Sequence, residues 1–289
     1  MSTNRDIESR HAQEVAAGER FEFGNNWASF LELLDNQRIA SACESLQSML
    51  GVQDLEGKSF VDIGSGSGLF SLAARRLGAR VHSFDYDTRS VACTAELRRR
   101  YYPGDADWTV EQGSTLDPAY IGSLGLFDIV YSWGVLHHTG AMWEALGNVA
   151  PLADEGSTLF ISIYNDQGRE SRRWWKVKYR YNSLPPSLRF LVLWPSAWKL
   201  WRGRILRDSL RGDPLKTWRE YSRKRGMSAW RDVVDWVGGY PFEVAKPEEI
   251  FHFYRDRGFE LIRLQTQAGD LGCNEFVFVK SGRRNSVQT

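Results

Sequence analysis

A glycine-rich run, Gly64-Ser-Gly-Ser-Gly68, directly follows the apolar stretch Ser59-Phe-Val-Asp-Ile63. Glycine lets the backbone pass close to a ligand, and the start of a helix offers unpaired N–H groups that attract charged molecules. A turn of this kind between a strand and a helix predicts a binding site for a small ligand. The contacts we expect from it are those of Gly64, Ser65, Gly66 and Gly68.

Two carboxylates near this run indicate what the ligand is. Leu69 occupies the position where a dinucleotide-binding fingerprint needs its third glycine, and Asp62 would repel a pyrophosphate. The same Asp62 would attract the ammonium and sulfonium of S-adenosylmethionine (SAM). Asp85, 17 residues after Gly68, ends the next apolar stretch, and a carboxylate there can accept hydrogen bonds from both ribose hydroxyls. We therefore expect SAM as the cofactor.

A pair of histidines follows a later apolar stretch, Phe127-Asp-Ile-Val-Tyr-Ser132. Loops at the carboxyl ends of parallel strands line the ligand crevice, so His137 and His138 would lie near the methyl group. Methyl transfer is an in-line displacement, and it needs a base only if the acceptor must lose a proton. We expect both histidines as catalytic candidates, with His137 preferred as the base. The alternative is that each packs against the cofactor or caps the next helix.

The N-terminal run Arg20-Phe-Glu-Phe-Gly-Asn-Asn-Trp-Ala-Ser29 is too aromatic for a solvated tail. We expect Phe23, Asn26 and Trp27 to fold over the cofactor pocket, with Trp27 contacting the cofactor and Asn26 the methyl acceptor. A helix start that packs on the sheet is the alternative.

The elements that position these residues alternate between strand and helix. Five apolar strands separated by helical patterns predict a parallel sheet that is buried on both faces. Two further strands near the C-terminus, 259–265 and 275–280, are joined by too short a connection for a crossover and should pair antiparallel. The fold class we expect is α/β, a doubly wound Rossmann-like seven-stranded sheet that ends in an antiparallel hairpin and carries a helical insertion.

These motifs resemble those of class I SAM-dependent methyltransferases, particularly the ubiquinone-biosynthesis-like group of small-molecule enzymes. The matching segments are VDIGSGSGLF (61–70), HSFDYD (82–87), QGSTLD (112–117) and FDIVYSWGVLHHTG (127–140). The resemblance implies cofactor contacts beyond the glycine run and its acids, at Tyr86, Ser114, Thr115, Ser132 and Trp133. This sequence differs from the family at Ser114, where the family often has an aspartate beside the adenine.

The insertion between the fifth strand and the helix at 247–258 is strongly basic. Residues 169–231 hold 18 lysines and arginines against four acids, a formal charge of +14, so the rest of the chain carries −13. Seven of the 12 tryptophans lie there, in helical pieces that we expect to break at Pro185-Pro186 and at Pro195. An anionic membrane surface, an anionic acceptor, RNA and a plain lid all fit this composition. As acceptor contacts we expect Arg172, Arg173 and Tyr240, together with Trp133.

The domain organisation we expect has three parts. Residues 1–56 form a helical segment that caps the cofactor site. Residues 57–167 and 241–289 form the SAM-binding domain, and 168–240 form a substrate lid. Three scattered cysteines have neither disulfide nor zinc spacing, which favours a reducing cytoplasm and no metal. No stretch approaches the ~20 apolar residues of a membrane span, which leaves peripheral contact open.

The sequence therefore predicts a SAM-dependent methyltransferase that acts on a small-molecule acceptor, anionic or lipid-like. The alternatives are an RNA-modifying methyltransferase and a SAM-binding protein without methyl transfer. Nucleic acid is disfavoured because the loop after the fourth strand lacks a Pro-Pro-aromatic motif and an attacking cysteine.

Overall fold

The apolar stretches form one seven-stranded sheet in a computed structural model that describes residues 4–24, 31, 34–225 and 229–281. The strand order is β3-β2-β1-β4-β5-β7-β6, and β7 pairs antiparallel with both of its neighbours while the others run parallel. The predicted fold is confirmed. The strands are β1 (Ser59–Ile63), β2 (Arg80–Asp85), β3 (Trp108–Gln112), β4 (Phe127–Trp133), β5 (Ala153–Tyr164), β6 (Phe259–Gln265) and β7 (Cys273–Lys280).

Helices connect these strands and begin where the sequence supplies caps. Asp87 and Asp117 accept backbone N–H bonds at the starts of two of them, and Pro118 takes the first position of the second. The helices outside the insertion are α1 (Asn4–Ala16), α2 (Asn36–Leu50), α3 (Leu69–Arg76), α4 (Thr88–Tyr101), α5 (Pro118–Ser123), α6 (Met142–Val149) and α11 (Pro247–Arg255).

Two hydrophobic clusters cover the two faces of the sheet. On one face, Ile39 and Leu46 of α2 pack with Leu72 of α3. On the other, Leu146 of α6 packs with Ile250 of α11. With both faces buried, the crevice at the carboxyl ends of the strands is left to bind ligands.

The insertion is helical and has an aromatic core of its own. Its helices are α7 (Arg169–Ser183), α8 (Phe190–Leu210), α9 (Lys216–Arg225) and α10 (Ala229–Gly238). Residues of this core include Trp174, Trp201 and Val233, together with Phe21 and Phe242 from outside the insertion.

The break predicted at Pro195 is wrong, because α8 runs through it. Proline removes the N–H that would bond to the carbonyl of Leu191. Both residues are exposed, so water can satisfy that carbonyl. The next carbonyl, of Val192, accepts the hydroxyl of Ser196 at 2.7 Å. The predicted break at Pro185-Pro186 is present between α7 and α8.

Candidate active site

The glycine run forms a tight turn between β1 and α3. Gly64, Gly66 and Gly68 have φ angles of 76°, 54° and 78°. A Cβ atom on Gly64 would lie 2.3 Å from a methyl group of Val135, and one on Gly68 would lie 2.9 Å from the backbone of Thr94. These two positions therefore exclude any side chain, and the turn presents bare backbone at the edge of the sheet.

Asp85 ties the glycine turn to the end of β2. Its two carboxylate oxygens accept the backbone N–H groups of Gly66 and Asp87, each at 2.9 Å. Burial raises the pKa of Asp85 to about 7, although both hydrogen bonds favour the charged form. Each oxygen keeps a further lone pair, so the carboxylate can still accept hydrogen bonds from a ligand.

We expect Asp85→Ala to weaken SAM binding by about 1.5–3 kcal/mol, because a charged acceptor is lost. Since the Asp85 pKa lies at about 7, SAM affinity in the unmodified protein should rise as the carboxylate ionises between about pH 6 and pH 8. Calorimetry across that range checks both effects. Asp54→Ala, in the exposed turn before β1, is the control. Unchanged affinity in Asp85→Ala would remove the assignment.

Asp62 lies beneath the turn and is only 2% exposed. It accepts the hydroxyl of Ser71, which accepts that of Ser83, which in turn accepts the indole N–H of Trp108. Burial raises the pKa of Asp62 to about 6. The side chain of Ser65 also points inward, with its hydroxyl 2.9 Å from that of Thr94. Asp62 and Ser65 therefore support the turn from below, and Ser65 offers its backbone to a ligand.

A cavity of about 210 Å³ lies beside the loop that follows β2. Tyr86 and Ser114 line it, together with Ile7 and Arg10 of α1. Thr115 is buried outside this lining, and its carbonyl accepts the amide of Asn148 at 2.9 Å. The structure thus places two predicted cofactor contacts, Tyr86 and Ser114, at one cavity and Thr115 away from it.

The N-terminal segment closes over the same loop. The Arg20 guanidinium lies 4.9 Å from the ring centre of Tyr86, and the Tyr86 hydroxyl donates to Glu14 at 3.3 Å. The N–H of Gly24 donates to Asp87 at 2.8 Å, and the ring of Phe23 lies 5.0 Å from that of His138. The segment therefore reaches from the cavity to the histidines. The predicted contacts Asn26 and Trp27 lie outside the described residues.

The loop after β4 separates the two residues predicted there. Ser132 is fully buried, and its hydroxyl donates to the carbonyl of Ile63 at 3.0 Å. This hydroxyl joins the ends of β1 and β4, and a contact between Ser132 and the cofactor stays a prediction. Trp133 is 44% exposed, and its indole N–H donates to Glu275 at 2.9 Å, which places it at the rim of the crevice.

The two histidines face different partners. His137 is fully buried, its ring centre is 4.0 Å from that of Tyr164, and its Nδ1 accepts the backbone N–H of Tyr164 at 3.4 Å. Its Nε2 has no hydrogen-bond partner among the described residues. His138 Nδ1 lies 2.6 Å from the carbonyl of Pro241 and must donate to it. That leaves Nε2 of His138 as the basic nitrogen.

Neither histidine is protonated at physiological pH. Burial lowers the pKa of both rings, helped by the charge of Lys178, and that of His138 falls to about 3. His138 presents a lone pair at Nε2, and the preference for His137 as the base stays a prediction.

A second, open cleft of about 680 Å³ lies outside the histidine loop. Tyr240 lines it with Trp175 and Tyr179, whose rings stack with centres 5.4 Å apart. The predicted acceptor contacts Arg172 and Arg173 are exposed on α7 and absent from this lining. The structure brings Tyr240 to a ligand-sized space and leaves the two arginines in solvent.

Sequence reasoning missed Tyr164 and Lys178 among the polar groups around the histidines. Lys178 is fully buried, four residues after the buried Trp174. That helical spacing could have indicated that Lys178 is buried, but the exposed cations around it obscured the pattern.

Glu243 accepts the N–H groups of Gly140 and Met142, so it caps α6.

The methyltransferase domain family matches residues 34–204, more than half of the chain. The chain belongs to this family. This methyltransferase is 39% identical over 69 residues to the ribosomal protein L11 methyltransferase of Methylococcus capsulatus, covering 24% of each chain. It is 28% identical over 116 residues to the ubiquinone biosynthesis O-methyltransferase of Caulobacter vibrioides, covering 38% of this chain and 42% of the relative. The matches thus span less than half of either curated relative.

Among solved structures, the methyltransferase is similar to the magnesium protoporphyrin IX methyltransferase of Synechocystis PCC 6803 with bound SAH. The TM-score is 0.49 at 16% identity, covering 85% of this chain and 83% of the other.

The residues present fit S-adenosylmethionine, the cofactor expected from the sequence. The turn at Gly64 and Gly68 has room for backbone alone, and the carboxylate of Asp85 meets it at the next strand. Each oxygen of that carboxylate can still accept a hydrogen bond from a ribose hydroxyl.

Proposed function

We propose that this methyltransferase acts on a small-molecule acceptor, anionic or lipid-like, which binds between the histidines and the insertion. The observation that carries the proposal is the enclosure of this region. His137 is fully buried and His138 is 8% exposed, and aromatic rings of Phe23 and Tyr164 pack against them. A nucleic-acid strand or a folded protein would have to displace the insertion to reach them, whereas a small molecule needs only a brief opening.

In this proposal the chain has the three parts expected from its sequence. Residues 1–56 cap the cofactor, 57–167 and 241–289 bind it, and 168–240 are the lid. The aromatic core of the insertion supports the division. So does the bridge between Asn165 and Ala245, which brings the two ends of the insertion together.

The backbone of the 64–68 turn and the Asp85 carboxylate would hold the cofactor, with Tyr86 and Ser114 at its adenine. When bound, SAM supplies an electrophilic methyl group on a sulfonium. Trp133 would contact the acceptor from the rim of the crevice. His138 would present the lone pair of Nε2 to the acceptor, since its Nδ1–H is held by Pro241, but a pKa lowered to about 3 makes it a poor general base at neutral pH.

Incubation with methyl-tritiated SAM tests the proposal. The purified protein is supplied in parallel with total RNA, protein, and lipid and small-metabolite extracts. We expect label in the small-molecule or lipid extracts only, and none with a Gly66→Val variant. Label in RNA would establish the alternative modification of nucleic acid. No label in any fraction, with SAM still bound, would leave a SAM-binding protein without methyl transfer.

A specific surface also favours contact with a membrane. Large apolar side chains are exposed along α8, with Trp194 at 63% and Trp198 at 64%. They continue a stripe at helical spacing from Leu191 to Leu206 and Leu210. No helix among the described residues is long and apolar enough to cross a membrane.

The positive charge around this apolar stripe indicates what kind of surface it contacts. The stripe lies within the segment of formal charge +14. A second copy of the chain in a symmetric contact would bring the same positive surface against itself. Lys and Arg beside exposed tryptophans suit an anionic bilayer, where each cation contributes about 1 kcal/mol. We therefore propose that α8 lies on the surface of an anionic membrane.

We expect the protein to float with phosphatidylglycerol-containing vesicles at low salt, and a Trp194→Glu/Trp198→Glu double variant to lose at least about tenfold in partitioning. Trp143→Glu changes an exposed tryptophan of α6, outside the insertion, and should float normally. Neutralising Arg172, Arg173 and Lys176 together should weaken flotation and its salt dependence. A protein that never floats would leave α8 as the solvent face of a lid.

A further inference from the structure

One cation of the insertion is turned inward. Lys178 is fully buried in α7, on the same helical stripe as the buried Trp174 and Tyr181. The other cations of this helix are exposed, at Arg169, Arg172, Arg173, Lys176 and Arg180. The basic composition of the segment therefore conceals that, on α7, Lys178 is the cation that reaches the interior.

The Lys178 ammonium sits among aromatic rings. It lies 4.5 Å from the ring centre of Trp236, 4.7 Å from that of Phe242 and 5.9 Å from that of Tyr164. Its one hydrogen-bond acceptor in the described part of the chain is the carbonyl of Trp236. An ammonium has three N–H groups, so two of them have no acceptor there.

Three further ring nitrogens around this position lack partners among the described residues. They are Nε1 of Trp174, Nε1 of Trp236 and Nε2 of His137, all buried. Their rings form a continuous chain, since Trp174 and Tyr164 each lie 5.5 Å from Trp236, and Tyr164 lies 4.0 Å from His137. Buried donors without acceptors are rare in folded proteins and call for an acceptor-rich ligand or water.

We infer that this donor cluster, formed by Lys178, Trp174, Trp236 and the Nε2–H tautomer of His137, binds an anionic oxygen group of the methyl acceptor, a carboxylate or phenolate. The inference rests on the proposed function, because it names the chemical class of that acceptor. Lys178 replaces Arg172 and Arg173 as the cation that recognises it.

The histidine pair agrees with an acceptor that is already an anion. Methyl transfer to a carboxylate oxygen forms one O–C bond and breaks one S–C bond, and it neutralises the carboxylate and the sulfonium together. No proton leaves the acceptor, so the step requires no base. Because the pKa of His138 is lowered to about 3, that ring is a poor base at neutral pH.

Lys178 also has a structural role at the end of a neighbouring helix. Together with Asn182, which donates to the carbonyl of Gly238, it caps the C-terminal end of α10. A lysine that served only as a cap would affect stability, without any preference for acidic ligands. Binding measurements separate the two roles.

The test is calorimetric titration with benzoate, cinnamate and octanoate, each paired with its neutral primary amide, in the presence of S-adenosylhomocysteine. We expect at least one acid to bind more tightly than its amide. Lys178→Met should remove that preference, weakening the acid about 10- to 100-fold because a charge-assisted hydrogen bond is lost. Lys176→Met removes the same charge from the exposed side of α7 and should leave the preference intact.

A pH series provides a second arm that needs no variant. Burial lowers the pKa of Lys178 to about 7, opposed by Asp235 of α10 and Cys273 of β7. The two histidines beside it are already neutral. Raising the pH above 7 removes the ammonium proton, so acid binding should weaken roughly five- to tenfold per pH unit. The affinity for the neutral amides should not change with pH.

The inference is overturned if every acid binds no better than its amide, if Lys178→Met keeps the preference, or if acid affinity is independent of pH between 7 and 9. Should Lys178→Met fail to fold, as judged by its affinity for S-adenosylhomocysteine, the pH series on the unmodified protein still decides. Because these are binding measurements, a failure here is distinguishable from a failure of methyl transfer itself.

Discussion

Replacing Gly66 with valine should abolish SAM binding, with a loss of at least about 100-fold in affinity. Gly66 has a φ of 54° and donates its N–H to Asp85 at 2.9 Å. A β-branched residue is strained at that angle. Its side chain would also occupy the edge where backbone must approach the ligand. Relaxing this strain would break the hydrogen bond from the Gly66 N–H to Asp85, so both the backbone turn and the carboxylate would lose the geometry that binds the cofactor.

Gly104→Val is the matched control for this substitution. Gly104 follows α4 with a φ of 75°, and a Cβ atom there meets nothing within 4 Å. It therefore carries the same conformational cost without touching the cofactor turn. Calorimetry should give normal SAM affinity for Gly104→Val, and thermal unfolding should show a similar loss of stability in both variants. A folded Gly66→Val that binds SAM like the unmodified protein would refute the role of the turn.

Excising the insertion should destroy methyl transfer while SAM binding persists. The parallel bridge between Asn165 and Ala245, with the N–H of Asp166 donating to the carbonyl of Ala245 at 3.1 Å, holds the two ends of the insertion side by side. A short glycine-serine linker can therefore replace residues 169–239. Without the insertion, water reaches the histidines and the acceptor loses a wall and the Lys178 charge. We expect transfer to fall at least about 100-fold.

Two measurements separate loss of the lid from loss of the fold. SAM affinity within about threefold of the unmodified protein, together with cooperative thermal unfolding, would establish that the sheet is intact, since the cofactor turn lies outside the insertion. Adding Phe21→Ser/Phe242→Ser reduces the apolar surface that the excision uncovers, because both rings pack in the aromatic core of the insertion. Undiminished methyl transfer by the shortened protein would end the lid proposal.

Much of the cofactor site was predictable from local sequence. The strand, the glycine turn and Asp62 are neighbours in the chain, and the bounds of β2 placed Asp85 at a strand end before any tertiary contact was known. Parallel pairing then forces the ends of β1 and β2 together, as the register from Ile63 to Phe84 records. Predictions that used only local geometry and this one pairing rule agree with the structure.

The prediction that failed concerns a residue whose environment is set by tertiary structure. Pro195 was expected to break a helix, but the carbonyl that loses its N–H partner lies on an exposed side of α8, where water can satisfy it. Distant partners also set the direction of side chains, since the hydroxyl of Ser132 donates to the carbonyl of Ile63, 69 residues earlier.

The sequence by itself determined the parallel sheet, the closing hairpin and the cofactor turn, because each is encoded by periodicity and spacing within a few residues. Only the tertiary structure decided which nitrogen of His138 keeps its lone pair, since the group that fixes its tautomer is the carbonyl of Pro241, 103 residues away. It also decided which cation of the insertion faces inward. Helical phase gives Lys178 a common face with Trp174, but whether that face meets solvent or a core depends on how α7 packs against α10. Long-range packing of this kind has no local sequence signature.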